Sequence, residues 1–315
     1  MFDARTGRIW REVFLALFGT GGDDFDPWVL DRLTLLLDEQ RVRAGQVLWA
    51  GGKAVESLYF MHQGRVRLTR EGAAPWTFEG RWFLGSFEGH LGRPASRQAV
   101  AVTDLNALKI RRRAWLDLLE DSFDLTRRGI VSAATTVARL DERVAAVVPV
   151  TPRVHTLTTR PKRALNAIER LAFLTEVEMA RGAGVQALAD LAAASHEVRL
   201  NDGNVLLRPG EGREYLYLIV DGRLEAAWQS PQMKRRYTTG DVVGGAAALS
   251  EAANDWEAKA LSAARLLAVP IEAWFDLMEE HFELAHSTFA FLAEHRERIL
   301  DHLAAEAGPQ GIVLT

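Results

Sequence analysis

Apolar residues recur along the chain with two different periods, and the change of period separates predicted helices from predicted strands. Residues 6–18 place apolar side chains three or four positions apart, which predicts a helix, and residues 29–39 predict a second one. Asp26 is the predicted N-cap of the second helix and Pro27 its first residue, because proline lacks the N–H that this position leaves unpaired. From residue 43 to residue 70 the period falls to two, with glycines between short apolar runs, which predicts strands.

The same two periods continue to the end of the chain. Strands are predicted at 58–61, 66–68, 76–78, 82–84, 98–102 and 107–110, and again between 198 and 269. Helices are predicted at 113–120, from Leu125 to Val148, at 164–180, 185–194 and 274–280, and from Phe282 to Leu303. Residues 149–163 hold three prolines and little periodicity, which predicts a linker. Residues 307–315 are predicted to be only a short tail.

One stretch of sequence occurs twice. Residues 113–125 (RAWLDLLEDSFDL) match residues 272–284 (EAWFDLMEEHFEL), so that Trp115 corresponds to Trp274 at an offset of 159. Three upstream glycines match at an offset of 158: Gly45, Gly52 and Gly64 with Gly203, Gly210 and Gly222. A repeat of this length exceeds the roughly 20 to 50 residues of solenoid units. We therefore predict two copies of one domain, at 1–148 and 164–315, joined by the linker at 149–163.

Each copy has the order helix, short strands, helices. Many short strands with glycine turns between them are typical of a small β-barrel or a jelly roll. The predicted fold class is therefore α+β, with two β-barrel or jelly-roll domains and flanking helices.

Composition narrows the function classes. The chain has 315 residues, of which 48% are hydrophobic and 25% charged, as is typical of a soluble globular protein. It has no cysteine, a net charge of −4, no leader-like N-terminus and no apolar run near the roughly 20 residues of a membrane span. The histidines lack a metal-binding spacing, and no catalytic motif is present. We expect a cytoplasmic protein that is not an enzyme and has neither DNA nor a membrane as partner.

Ordered motifs in both copies resemble those of the cyclic nucleotide-binding domain. The first copy has Leu58-Tyr-Phe-Met-His-Gln-Gly64-Arg-Val66, Gly85 and Ala101. The second has Leu216-Tyr-Leu-Ile-Val-Asp-Gly222-Arg-Leu224, Gly240-Asp-Val-Val-Gly244-Gly and Ala260. The resemblance implies a regulatory, non-enzymatic domain with a pocket for a cyclic nucleotide. No helix-turn-helix pattern accompanies the two copies, although many relatives carry one.

The resemblance also implies where a ligand would be held. In the family, a Gly-Glu pair opens a short helix that faces the cyclic phosphate, the Glu takes the ribose hydroxyl, and an Arg about ten residues later pairs with the phosphate. From Gly85 to Ala101, and from Gly244 to Ala260, the spacing is the same 16 positions. The Glu position then falls on Ser86 and Gly245, and the Arg position on Ala95 and Asn254. We therefore expect both pockets to be degenerate.

The candidate pocket residues are a small set in each copy. They are Gly85, Ser86, Phe87, Arg93, Ala95, Ser96 and Arg97 in the first copy, and Gly244, Gly245, Asn254 and Trp256 in the second. Arg93 and Arg97 flank Ala95 by two residues on either side, so in an extended segment both could face the pocket and clamp a cyclic dinucleotide such as cyclic di-GMP. The alternative is an exposed pair on a loop. Trp256 either fills the second pocket or faces outward.

These features lead to a working hypothesis. In this hypothesis, the chain is a non-enzymatic regulatory or scaffold protein that acts through protein–protein contacts and needs no cofactor. The alternative is a second-messenger sensor that binds a cyclic nucleotide or cyclic dinucleotide in the first copy, and a third is an accessory subunit that restrains an enzyme. The helices from Leu125 to Val148 and from Phe282 to Leu303 could form a homodimer seam, pair within one chain, or pack on their own barrels.

Overall fold

The computed structural model describes residues 26–144, 163–211, 214–228, 233–250 and 255–315. The predicted helix at 6–18, nearly all of the predicted linker, and the candidate pocket residue Asn254 lie outside these residues.

The first helix that the structure describes is capped, as predicted. Helix α1 (Pro27–Leu36) has Asp26 as its N-cap, and the Asp26 side chain accepts a hydrogen bond from the backbone N–H of Trp28 at 2.9 Å. The prediction that this helix continues to residue 39 is wrong, because Asp38–Val42 pairs as a strand with Leu105–Arg111.

The remaining elements of the first copy confirm the predicted strands and the helix predicted at 113–120. The helix predicted from Leu125 to Val148 is present, but it ends at Asp141, because residues 142–144 are not helical. The strands are β1 (Asp38–Val42), β2 (Val47–Trp49), β3 (Ser57–Met61), β4 (Arg65–Arg70), β5 (Ala73–Glu79), β6 (Trp82–Leu84), β7 (Gln98–Ala101) and β8 (Leu105–Arg111). The helices are α2 (Ser86–His90), α3 (Arg112–Asp121) and α4 (Phe123–Asp141). Strand β4 shows why the two-residue period predicts strands, since Val66 and Leu68 are buried while Arg65 and Arg67 between them are exposed.

The second copy follows the same order. Its first helices are α5 (Ala167–Leu174) and α6 (Val185–Ala194), and its strands are β9 (His196–Leu200), β10 (Val205–Leu207), β11 (Tyr215–Asp221), β12 (Leu224–Trp228), β13 (Met233–Tyr237), β14 (Trp256–Ala260) and β15 (Ala264–Pro270). It closes with α7 (Ile271–Glu280) and α8 (Phe282–Glu306). Helix α5 starts at a capping box formed by Asn166 and Glu169. It ends at Leu174 instead of residue 180, where a short 3-10 helix, Glu178–Ala180, follows.

Two sheets form each copy in the described part of the chain. The strand orders are β1-β8-β3-β6 and β5-β4-β7-β2 in the first copy, where a C-terminal strand, β16 (Ile312–Leu314), is added beside β5, and β10-β14-β12-β13 and β11-β15-β9 in the second. In the second copy, buried residues from both sheets, among them Ile219, Leu224 and Leu266, form one apolar core. The α+β class and the jelly-roll-like repeat are confirmed, but the sheets are open and do not close into barrels.

The predicted tail is a strand. Residues Ile312–Leu314 form β16, which pairs parallel to β5 with Ile312 opposite Trp76 and Leu314 opposite Phe78. Gly311 makes this approach feasible, since it has φ +68 and a Cβ there would collide with the backbone of Pro75.

Contacts divide the chain into two compact units. One contains the residues up to Ser132 together with Ala293–Thr315, and the other contains Ala133–Leu292. The end of α4 therefore belongs to the unit that holds the strands of the second copy, and the end of α8 to the unit that holds the strands of the first. Among the described helices, none has the length and apolar character needed to cross a membrane.

Candidate functional site

Both copies keep the glycine turn at the predicted ligand site. Gly85 has φ +84 and precedes α2, and Gly244 has φ +87 and precedes the 3-10 helix Gly245–Leu249. A Cβ on Gly85 would lie 3.1 Å from Val55 Cγ1, so both the backbone angle and the space favour glycine. The backbone frame of the site is therefore present twice.

The side chains after these glycines offer no carboxylate to a sugar hydroxyl. The Ser86 hydroxyl donates to the carbonyl oxygen of Phe83 at 3.0 Å, so its proton is already engaged by the backbone. Gly245 has no side chain. The Ser86 oxygen can still accept a hydrogen bond, but it carries no charge, so it would hold a ribose hydroxyl more weakly than a carboxylate does.

Ala95, at the predicted arginine position, lies inside the fold. Its side chain is buried, its N–H donates to the carbonyl of Lys53 at 2.9 Å, and its carbonyl accepts from the N–H of Gly52 at 2.8 Å. These two backbone bonds fix the segment that carries Arg93, Ser96 and Arg97.

Arg97 is a buried residue. Only 2% of its side chain is exposed, and its guanidinium lies 4.0 Å from the centre of the Trp76 ring. It donates to the carbonyl of Ala74 at 2.9 Å and to Asp301 Oδ1 at 2.5 Å. The alternative of an exposed arginine on a loop is therefore wrong for Arg97.

Arg93 and Ser96 both donate to the carboxylate of Glu297. The guanidinium of Arg93, 42% exposed, pairs with Oε2, and the Ser96 hydroxyl donates to Oε1. Asp301, one helical turn after Glu297 on α8, also accepts from Arg70 at 3.0 Å. Two carboxylates thus cover the three donors at the candidate site, namely Arg93, Ser96 and Arg97.

A third residue of α8 contacts Phe87. Arg296 is buried, with its guanidinium 4.3 Å from the Phe87 ring centre and 5.2 Å from that of Phe78. Its Nη1 atom lies 3.6 Å from Glu88 Oε1. Burial lowers the pKa of Arg296, while Glu88 and Glu297 favour its charged form. Phe87 therefore faces a cation of the chain itself.

The second copy places an aromatic ring against its glycine turn. Trp256 is buried, and a Cβ on Gly244 would lie 2.7 Å from Trp256 Cζ2 and 2.9 Å from Cη2. The Trp228 ring centre is 5.7 Å from that of Trp256, and both rings belong to the core of the second copy. Of the two alternatives for Trp256, the outward orientation is wrong.

Comparison with protein families identifies the repeated unit. The model of the cyclic nucleotide-binding domain matches residues 39–122 and again residues 197–281, which together are more than half of the chain. The chain belongs to the cyclic nucleotide-binding domain family. The two domains are in tandem, as the sequence repeat predicts. No match was found among curated proteins.

Several solved structures are similar to this chain. The regulatory domain of Toxoplasma gondii PKA with cAMP is 16% identical, with 88% of this chain and 94% of that chain covered and a TM-score of 0.33. The regulatory subunit of a cAMP-independent protein kinase A from Trypanosoma brucei is 16% identical, with 92% and 88% covered and a TM-score of 0.34. The sensor domain of the transcriptional regulator DNR from Pseudomonas aeruginosa is 18% identical, with 38% and 83% covered and a TM-score of 0.35. Similarities of this size say nothing about what this chain binds.

At two matching positions, the two cyclic nucleotide-binding domains carry an arginine and a tryptophan in opposite order. Trp76 is opposite Leu68 in the first domain, and Arg235 is opposite the matching Ala226 in the second. The offset of 159 that aligns Gly85 with Gly244 also aligns Arg97 with Trp256. Each domain therefore has one arginine and one tryptophan at these two positions, in opposite order.

The buried arginine of the second domain is also tied to an aspartate. Arg235 donates two hydrogen bonds to Asp141 at the end of α4, one of them from Nη2 to Oδ1 at 2.8 Å. Burial opposes the charge on Arg235, but the hydrogen bonds that it donates to Asp141 raise its pKa above the ordinary value. In each unit, an aspartate near the end of a long helix neutralises a buried arginine.

Sequence reasoning missed Glu297, Asp301 and Arg296. All three lie on α8, with Glu297 one residue and Asp301 five residues after Arg296. Nothing in this spacing indicates that their partners lie about 200 residues earlier in the chain. Among the described residues, no cluster of His, Asp and Glu side chains is arranged to hold a metal ion.

Proposed function

We propose that this protein is a non-enzymatic regulatory or scaffold protein whose two cyclic nucleotide-binding domains act through protein contacts and not through a free cyclic nucleotide. One observation carries the proposal: side chains of the chain itself fill both candidate sites. Glu297 and Asp301 neutralise the arginines of the first domain, and Trp256 lies on the glycine turn of the second. A protein partner and a cytoplasmic setting are part of this proposal.

The missing contacts would strongly weaken the binding of a cyclic nucleotide. A charge-assisted hydrogen bond contributes about 1.5–3 kcal/mol, and neither Ser86 nor Ala95 can supply the one expected at its position. Two such bonds amount to about 3–6 kcal/mol, and each 1.4 kcal/mol is about a factor of ten, so the loss is on the order of a hundred- to ten-thousandfold in affinity. In the first domain, the phosphate would also have to displace Glu297. In the second, it would have to displace a buried indole.

Calorimetric titration of the full chain with cyclic AMP and cyclic GMP tests the proposal. We expect no saturable heat at micromolar nucleotide, since Glu297 and Asp301 hold the arginines of the first site and the Trp256 ring lies against the glycine turn of the second. A dissociation constant in the micromolar range or tighter for either nucleotide would contradict it.

The second candidate function is a second-messenger sensor. One observation favours it: Arg93 and Arg97 already hold two separate carboxylates, and so could serve two phosphates of a ligand such as cyclic di-GMP. Titration with cyclic di-GMP separates the candidates. Binding that Arg93→Ala abolishes would favour the sensor, and Arg93 suits this test better than Arg97 because it is partly exposed.

The partner of a scaffold would be sought by affinity capture with the full chain as bait. The homodimer seam predicted from Leu125 to Val148 or from Phe282 to Leu303 stays a prediction. Sedimentation of the purified chain would test it, with a single monomeric species as the outcome against it.

A further inference from the structure

We propose that the C-terminal segment, residues 293–315, is a built-in ligand of the first domain. Its carboxylates Glu297 and Asp301 occupy a site that binds a phosphate-bearing anion when the two carboxylates are removed. This inference goes beyond the proposed function, because it assigns a chemical class of ligand and the segment that competes with it.

The donors around the two carboxylates are those of an oxyanion site. Glu297 accepts from Arg93 and Ser96, and Asp301 accepts from Arg97 and from Arg70. Guanidinium groups bind carboxylates and phosphates with the same forked geometry, and a hydroxyl completes either kind of site. The donor set therefore fits a phosphate as well as it fits the carboxylates now present.

Burial differs between the two sides of this ionic cluster. Arg97 is 2% exposed and is held by the Trp76 ring and by backbone carbonyls, whereas Asp301 retains 30% and Glu297 14% exposure. A buried guanidinium requires a counter-ion, since leaving it unpaired in a low dielectric is costly. The guanidinium of Arg97 is thus fixed within the first domain, whereas the carboxylates that pair with the arginines are the groups that another anion could replace.

The segment is attached at two further places in the same unit. Arg296 lies over the Phe78 and Phe87 rings, and β16 pairs with β5 so that Ile312 is opposite Trp76. Trp76 thus takes part both in the strand pairing and in the stack with Arg97. A phosphate and the segment would compete for the same arginines, so each would weaken the binding of the other.

Chemical rescue in the full-length chain tests this inference. The double variant Glu297→Ala and Asp301→Ala leaves Arg97 without its carboxylate, and we expect its thermal midpoint to fall by on the order of 10 °C. Inorganic pyrophosphate, added at constant ionic strength in exchange for chloride, should then raise the midpoint of the variant by several degrees more than that of the wild type.

A matched control removes a carboxylate that does not cover the site. Glu79 pairs with Arg65 on neighbouring strands of the same unit, and both side chains are exposed. Glu79→Ala should shift the midpoint little and respond to pyrophosphate as the wild type does. If the double variant does not fold, Glu297→Ala alone serves, because its partner Arg93 is partly exposed.

Two outcomes bear on this inference and on the proposed function separately. If pyrophosphate stabilises the carboxylate variants no more than Glu79→Ala, the internal-ligand inference is wrong, whatever the wild type binds. If the wild type binds cyclic AMP tightly, the proposed function is wrong, while rescue of the variants would still support an anion site under Glu297 and Asp301.

Discussion

Replacement of Trp256 by alanine should destabilise the unit formed by residues 133–292. The indole is buried against Gly244, next to Trp228, in the core between the two sheets of the second domain. Removal of a buried Trp side chain costs about 3–5 kcal/mol, from lost transfer free energy and from the cavity that remains. The contact with a second aromatic ring, worth about 0.5–1.5 kcal/mol, places the expected loss in the upper part of that range.

Urea unfolding followed by far-ultraviolet circular dichroism measures this loss. The transition of the second unit should move to lower urea, with its slope unchanged. Ile168→Ala in the same unit is the control, because Ile168 is an exposed apolar residue and its removal should change stability by about 0.5 kcal/mol or less. A loss below about 1 kcal/mol for Trp256→Ala would show that the indole does not fill the core, and would contradict the argument about the second site.

Two other predictions concern the helix end that contacts the second domain. Asp141→Ala should lower the free energy of unfolding by about 3–5 kcal/mol, because it leaves Arg235 charged and buried. The double variant Asp141→Leu with Arg235→Met should lose far less stability, because it removes both charges. Equal losses of the two variants in urea unfolding would contradict this. Glu142 is an exposed residue, but partial desolvation and the nearby Asp255 and Asp141 raise its pKa above the ordinary value. Its protonated form is therefore favoured in the folded state, and the stability that this form contributes at acid pH is lost as pH rises through the raised pKa. Glu142→Gln should therefore raise the thermal midpoint at neutral pH and not at acid pH, and a variant that is no more stable than the wild type at neutral pH would contradict the assigned shift.

The glycine turns and strands that occur in both copies could be predicted from short stretches of sequence. The glycines at matching offsets mark turns that need positive φ, and the two-residue period marks strands with one buried face, so both can be found from short stretches of sequence. The family resemblance located Gly85, Ser86 and Ala95 in the first domain and Gly244, Gly245 and Trp256 in the second. Turn glycines, strand periods and motif positions depend on neighbouring residues in the chain, and they are present in both copies.

The occupants of the first site could not be predicted in the same way. Glu297 and Asp301 look like ordinary charged positions of an amphipathic helix, and their contacts depend on the end of α8 belonging to the unit of the first domain. The pattern Ile-Val-Leu in the predicted tail was too short to indicate a strand without its partner β5. The inward orientation of Trp256 likewise depends on the space beside Gly244, which the sequence does not describe.

We propose that the chain fills its own two ligand sites. A crystal structure of the full protein grown with an excess of cyclic AMP tests it most directly. We predict that Glu297 remains on Arg93 and Ser96, that Trp256 remains on Gly244, and that neither site contains nucleotide. A cyclic phosphate bound to Arg97 in place of Asp301, or seated at the turn of Gly244 with the Trp256 ring displaced, would contradict the claim.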